Sequence, residues 1–125
     1  MSRILLDTHV LIWWVEASSR VKASWVDAIL DPDNSIHVSA ASAWEIETKK
    51  RIGKLHFAHD VGEIAASFGF EHLGVTMSHA AAAGSMQWQH GDPFDRMLVA
   101  QAVANDMLFI TSDQSLKSAP GVRVL

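Results

Sequence analysis

The sequence predicts an α/β domain in which a central, mostly parallel sheet of four to five strands lies between helices on both of its faces. Short apolar segments alternate with longer segments of helical spacing from one end of the chain to the other, and strand followed by helix, repeated, calls for a parallel sheet covered on both sides. The strand-like segments carry unbroken apolar runs such as "ILL" (4–6) and "LFI" (108–110), the pattern of strands buried on both faces. No internal repeat, low-complexity tract or linker-like shift in composition divides the chain.

The elements follow in order. "RILLD" (3–7), "IHVS" (36–39), "HLGVT" (72–76) and "MLFIT" (107–111) are short, rich in branched or large apolar residues and bounded by polar or turn residues, and "VRVL" (122–125) supplies a fifth strand. Helical spacing covers 8–16, 20–30, 41–52, 60–69, 78–89 and 93–105. Ser39 is placed to cap the third helix. The last helix sets Phe94, Met97, Leu98, Ala102 and Val103 along one stripe. Asp92 and Pro93 are its start signals: the carboxylate accepts from free backbone N–H groups and proline fits the first helical position. Asp95 is left over as a second acid in the same turn.

A chain of 125 residues with 49% hydrophobic content has the size of one globular domain spanning 1–125. Its longest apolar run, "VLIWWV" (10–15), falls far short of the roughly 18 residues of a membrane span. Asp7 interrupts the N-terminal segment where a secretory signal needs continuous apolar residues, so a cytoplasmic protein is expected. The absence of cysteine excludes disulfides and thiolate metal sites. A net charge of −4 argues against a broadly basic nucleic-acid footprint. Four of the ten Lys and Arg residues nevertheless lie together in "KKRIGK" (49–54), at a helix end whose dipole also favours positive charge.

The acids carry the chemistry. Asp7 ends the first strand, Asp113 follows the strand "MLFIT" in "TSD", and Glu45 lies about a turn and a half into the helix after "IHVS". All three are at or near the carboxyl edge of the sheet, where open parallel sheets bind ligands. Asp95 joins them if the helix at Pro93 begins at the same edge. Clustered carboxylates stay ionised only beside a cation. Oxygen ligands without cysteine or a matched histidine pair point to Mg²⁺ or Mn²⁺, and such an ion acts typically on phosphate esters.

The stretches "LLDTHVLIWW" (5–14), "SAASAWEIETKKRIGKL" (39–55), "GDPFDRMLVAQA" (91–102) and "ITSD" (110–113) resemble those of PIN-domain proteins, specifically the VapC-like toxin ribonucleases of type II toxin-antitoxin modules. The resemblance spans essentially the whole chain. It implies a three-layer α/β/α sandwich and a Mg²⁺-dependent endoribonuclease that hydrolyses RNA phosphodiesters with metal-activated water. It puts the acidic quartet on Asp7, Glu45, Asp95 and Asp113. Asp7 and Asp95 would bind the principal ion, Glu45 would ligate or help position the nucleophile, and Asp113 would complete the outer shell or hold a second ion. Lys49, Lys50, Arg51 and Arg96 would contact phosphates. A VapB-like antitoxin is the implied partner, in a hetero-oligomer built on a toxin homodimer.

Other features have simpler readings. None of the seven histidines forms a zinc-like pair, although His9 and His90 adjoin motif acids closely enough to hydrogen-bond them. Ser112 is ordinary turn chemistry. Tryptophans at helical positions belong to core or rim, with one of the five expected at an interface. The alternatives to a nuclease are a non-catalytic PIN-type module that binds RNA or protein and, further off, a metal-dependent phosphatase. For the phosphatase, His9 stands where a second aspartate is needed.

Overall fold

The computed structural model describes all 125 residues. Five parallel strands, β1 (Arg3–Leu6), β2 (Ser35–Ser39), β3 (Glu71–Leu73), β4 (Leu108–Ile110) and β5 (Arg123–Val124), form one sheet in the order β3-β2-β1-β4-β5. The helices are α1 (Thr8–Val15), α2 (Ala23–Leu30), α3 (Ala40–Arg51), α4 (Val61–Ser67), α5 (Met77–Ser85) and α6 (Pro93–Ala104), with a 3₁₀ turn at Gln114–Ser118. The chain winds outward from β1 through β2 to β3, then crosses back to place β4 and β5 on the other side of β1. The winding therefore reverses between β1 and β4, which opens a crevice beyond their carboxyl ends.

Alternate side chains of the inner strands feed two cores. Ile4, Leu6, Ile36, Val38 and Ile110 pack with Val10, Leu11, Trp25, Ile46, Phe57 and Phe70 on one face. Leu5 and Phe109 point the other way, onto Leu98, Val99, Ala102, Met107 and Leu116. Helices on both faces give the expected three layers. Trp25 is fully buried and stacks on Trp13, with ring centroids 6.4 Å apart, whereas Trp44 is 61% exposed.

Boundaries differ from expectation where polar side chains claim the backbone. The third strand ends at Leu73 instead of running to 76, because Thr76 caps α5: its hydroxyl accepts from His79 N–H while its own N–H donates to His79 Nδ1. α5 stops at Ser85, short of 89, since the carbonyls of Ala83, Met86, Trp88 and His90 turn toward Arg96. α2 begins at Ala23, not 20. The glycine of "KKRIGK" closes α3: Gly53, at φ 76°, donates to Lys50 O at 3.1 Å and Lys54 N–H to Lys49 O at 2.9 Å, a Schellman end that needs the left-handed conformation.

Candidate active site

The crevice at the reversal of the sheet is built around Asp7, 4% exposed. Its backbone N–H donates to Ile110 O at 3.0 Å, so the residue is held where β1 and β4 end together. Oδ1 accepts from Thr8 N–H at 2.8 Å, capping α1, and Oδ2 accepts from the Thr111 hydroxyl at 2.6 Å. Burial pushes the Asp7 carboxyl up from 3.8 to about 6; Asp95 adds to the rise, while the Thr111 hydroxyl, His9 and the Thr8 N–H pull the other way. Electrostatics thus places Asp95 in the field of Asp7.

Glu45 enters from α3. The Thr8 and Ser42 hydroxyls meet at 2.9 Å in the interior, locking the first turn of α1 to that of α3 and bringing Glu45, 3% exposed, toward the same crevice. Its Oε2 pairs with Lys49, one turn further along the helix. Its Oε1 is buried without a hydrogen-bond partner. An unpaired buried carboxylate oxygen is costly, and it is the clearest sign that the crevice is shaped for something positive. Partial burial lowers the Lys49 ammonium, but Glu45, Asp92 and Asp95 outweigh it and hold the group above its ordinary range.

Asp95 and Asp92 divide the first turn of α6 between two jobs. Asp92 Oδ1 accepts from the N–H groups of Phe94 and Asp95 at 2.9 and 3.1 Å; it is the cap. Asp95, freed from capping, turns Oδ2 to His90 Nε2 at 2.8 Å. Burial raises its carboxyl; His90 opposes the rise, and Asp92 and Glu45 add to it. The position of α6 is fixed from its other flank by Gln101, wholly buried, which accepts from Ser39 Oγ at 2.5 Å and donates to Gly74 O at 3.2 Å.

Asp113 stands at the exposed rim. Its Oδ1 accepts from Ser115 N–H and Oγ at 2.9 and 2.7 Å, and the Ser115 hydroxyl is the main reason that its carboxyl lies below the ordinary value. Thr111 links it to the crevice, since the hydroxyl that donates to Asp7 accepts from Asp113 N–H at 3.1 Å. Asp95 thus stands between two repelling partners, acting on Asp7 and acted on by Glu45, and Asp113 is tied to Asp7 through Thr111; no three His, Asp or Glu side chains are gathered tightly enough to enclose an ion in this arrangement. The donor set nonetheless suits a hard divalent cation, being carboxylate oxygen with one buried oxygen unpaired.

The basic residues separate. Lys49 is bound to Glu45, Lys50 pairs with Glu47 at 3.2 Å, and Arg51 is exposed. The expectation for Arg96 is corrected. Its guanidinium donates to Ala83 O at 2.9 Å, Met86 O at 2.7 Å, Trp88 O at 2.6 Å and His90 O at 3.0 Å, which uses four of its five N–H groups and leaves a brace for the loop instead of a phosphate ligand. Sequence reasoning also missed Thr111. A threonine ending a strand carries no signal of its own, and only the pairing of β4 with β1 sets its hydroxyl on Asp7.

The profile of the PIN domain family matches residues 4–122. Ribonuclease VapC22 of Mycobacterium tuberculosis is 30% identical over 122 residues, covering 94% of this chain and 92% of its own length. Among solved structures, DNA-bound VapBC from Salmonella typhimurium aligns over 100% of this chain and 98% of its own, with TM-score 0.72 and 16% identity. VapBC2 from Rickettsia felis, bound to a DNA fragment of its promoter, aligns over 98% and 97%, with TM-score 0.71 and 14% identity. The PIN domain endonuclease Utp24 aligns over 98% of this chain and 83% of its own, with TM-score 0.56 and 19% identity.

Proposed function

We propose, because this chain belongs to the PIN-domain family, that it is a Mg²⁺-dependent endoribonuclease acting as the toxin of a type II toxin-antitoxin module. The buried, unpaired Oε1 of Glu45, on a side chain whose charge acts on Asp95 as Asp95 in turn acts on Asp7, is the observation that carries this reading. Asp7 and Asp95 would hold the principal ion, with Glu45 beside them and Asp113 at the outer shell. Mn²⁺ offers the same ligand preferences. When bound, a hard divalent ion lowers the pKa of water and offsets charge growing on the phosphate.

The chain's own groups set the stage for that chemistry. Thr111 and the Thr8 N–H fix both oxygens of Asp7 and favour its ionised form. Lys49 holds one oxygen of Glu45 and leaves the other to accept a proton or orient a water. A cleft of about 240 Å³ whose lining includes Thr8, His9, Glu45, Lys49 and Lys54 runs from Glu45 along the basic end of α3; Lys49 within it, and Lys50 and Arg51 outside it on the same helix end, would meet an RNA backbone. The similarity to a named ribonuclease and to VapBC complexes supports RNA as substrate and a VapB-like antitoxin as partner; a toxin homodimer is part of the same proposal. No helix is long and apolar enough to cross a membrane.

The test is cleavage of RNA by the purified protein in Mg²⁺ and in chelator, with Asp7→Asn and Asp95→Asn as controls. Each substitution, like the chelator, is expected to lower cleavage at least a hundredfold with the fold retained. RNA bound but never cut by the wild type would make the chain a binding module.

A further inference from the structure

One imidazole binds Asp95, an indole stacks on that imidazole, and a guanidinium holds the loop that carries both. The His90 imidazole donates to Asp95 Oδ2 at 2.8 Å; because an ionised carboxylate only accepts, Nε2 carries the proton. The other oxygen, Oδ1, accepts from no protein group. The imidazole lies flat on the indole of Trp88, centroids 4.7 Å apart and planes at 13°. Both residues belong to a loop without regular structure, so their register relative to α6 needs a separate cause.

Arg96 is that cause. It follows Asp95 directly on α6 and reaches back to four carbonyls of the segment 83–90, those of Trp88 and His90 among them. One rigid, planar group thus ties both rings of the stack to the helix that bears Asp95.

We propose that His90 is a positioning residue for Asp95, set by the Arg96 brace, which holds one carboxylate oxygen so that the other is presented to the divalent ion. The inference rests on the function proposed above and deepens it. Hydrogen bonds from outer partners to ligating carboxylates are worth about 10- to 100-fold in metal affinity or activity when removed. Neither His90 nor Arg96 touches substrate in this account.

The experiment measures Mn²⁺ affinity by calorimetry on the RNA-free protein, with kcat and KM for RNA cleavage beside it, for His90→Ala, His90→Gln, Arg96→Lys and the double variant His90→Ala/Arg96→Lys. His90→Ala is expected to weaken Mn²⁺ binding about tenfold and to lower kcat with KM little changed, while His90→Gln, whose amide N–H can donate in the same place, recovers most of both. Arg96→Lys, unable to span four carbonyls, should reproduce the loss, and the double variant should be no worse than either single one, because both act through one hydrogen bond. Mn²⁺ affinity unchanged in His90→Ala, or equal losses in the Ala and Gln variants, overturns the positioning role alone. A wild type that neither binds Mn²⁺ nor cleaves RNA overturns the functional reading and this role together.

Discussion

Asp7 shows how much of the site is decided by a single carboxyl. Folding raises it from 3.8 to about 6 through burial, so the native state binds its proton more tightly than the unfolded chain does. The stabilisation from this group is complete below pH 3.8 and is lost as pH rises through about 6. The span corresponds to about 3 kcal/mol at most. Asp7→Asn removes the ionisation and keeps one acceptor for Thr8 or Thr111, so in chelator at pH 8 the variant is expected to be more stable than the wild type by about 1–2 kcal/mol. At pH 5 the difference should shrink or reverse. Denaturant midpoints at the two pH values check this, and a variant less stable at pH 8 would show that Asp7 is structural. The sequence revealed Asp7, Glu45, Asp95 and Asp113 as site candidates through strand ends and helix starts. It could not reveal Thr111, whose hydroxyl reaches Asp7 only because β4 pairs with β1, whereas the Glu45–Lys49 pair was within reach of the sequence as an i,i+4 spacing on one helix.

At the scale of elements, the first turn of α6 separates structure from chemistry. Asp92 satisfies two N–H groups at the helix start, and Asp92→Ala is expected to cost about 1 kcal/mol of stability. RNA cleavage should stay within a few-fold of wild type. Asp95→Asn should do the opposite, with little change in melting temperature and cleavage lost. Thermal melts and cleavage rates on the two variants test the division, and equal effects on both measures would refute it. Helix existence was readable from periodicity, as with Leu98 and Ala102 in the core stripe of α6. Its ends were not always: Thr76 shortens β3 by capping α5, and the carbonyls drawn to Arg96 end α5 early. Arg96 misled for a related reason, because an arginine next to a site acid looks the same in sequence whether it faces phosphate or backbone.

For the molecule as a whole, the reversal of winding between β1 and β4 puts Asp7 in the crevice beyond their carboxyl ends, with Asp113 at its exposed rim. The alternation of strand and helix made the parallel sheet legible. The placement of α6 was not, because Pro93 follows a helix and not a strand; it is docked by Leu98, Val99 and Ala102 in the second core and by Gln101 bridging Ser39 and Gly74. The central claim is that Asp7 and Asp95, with Glu45 beside them, hold one divalent ion. Crystals soaked in Mn²⁺ and measured for anomalous scattering test it most directly. The account predicts a peak in this crevice at about 2.0–2.3 Å from carboxylate oxygens of both aspartates. A Mn²⁺ peak elsewhere on the chain, with Asp95 turned away from Asp7, would contradict it.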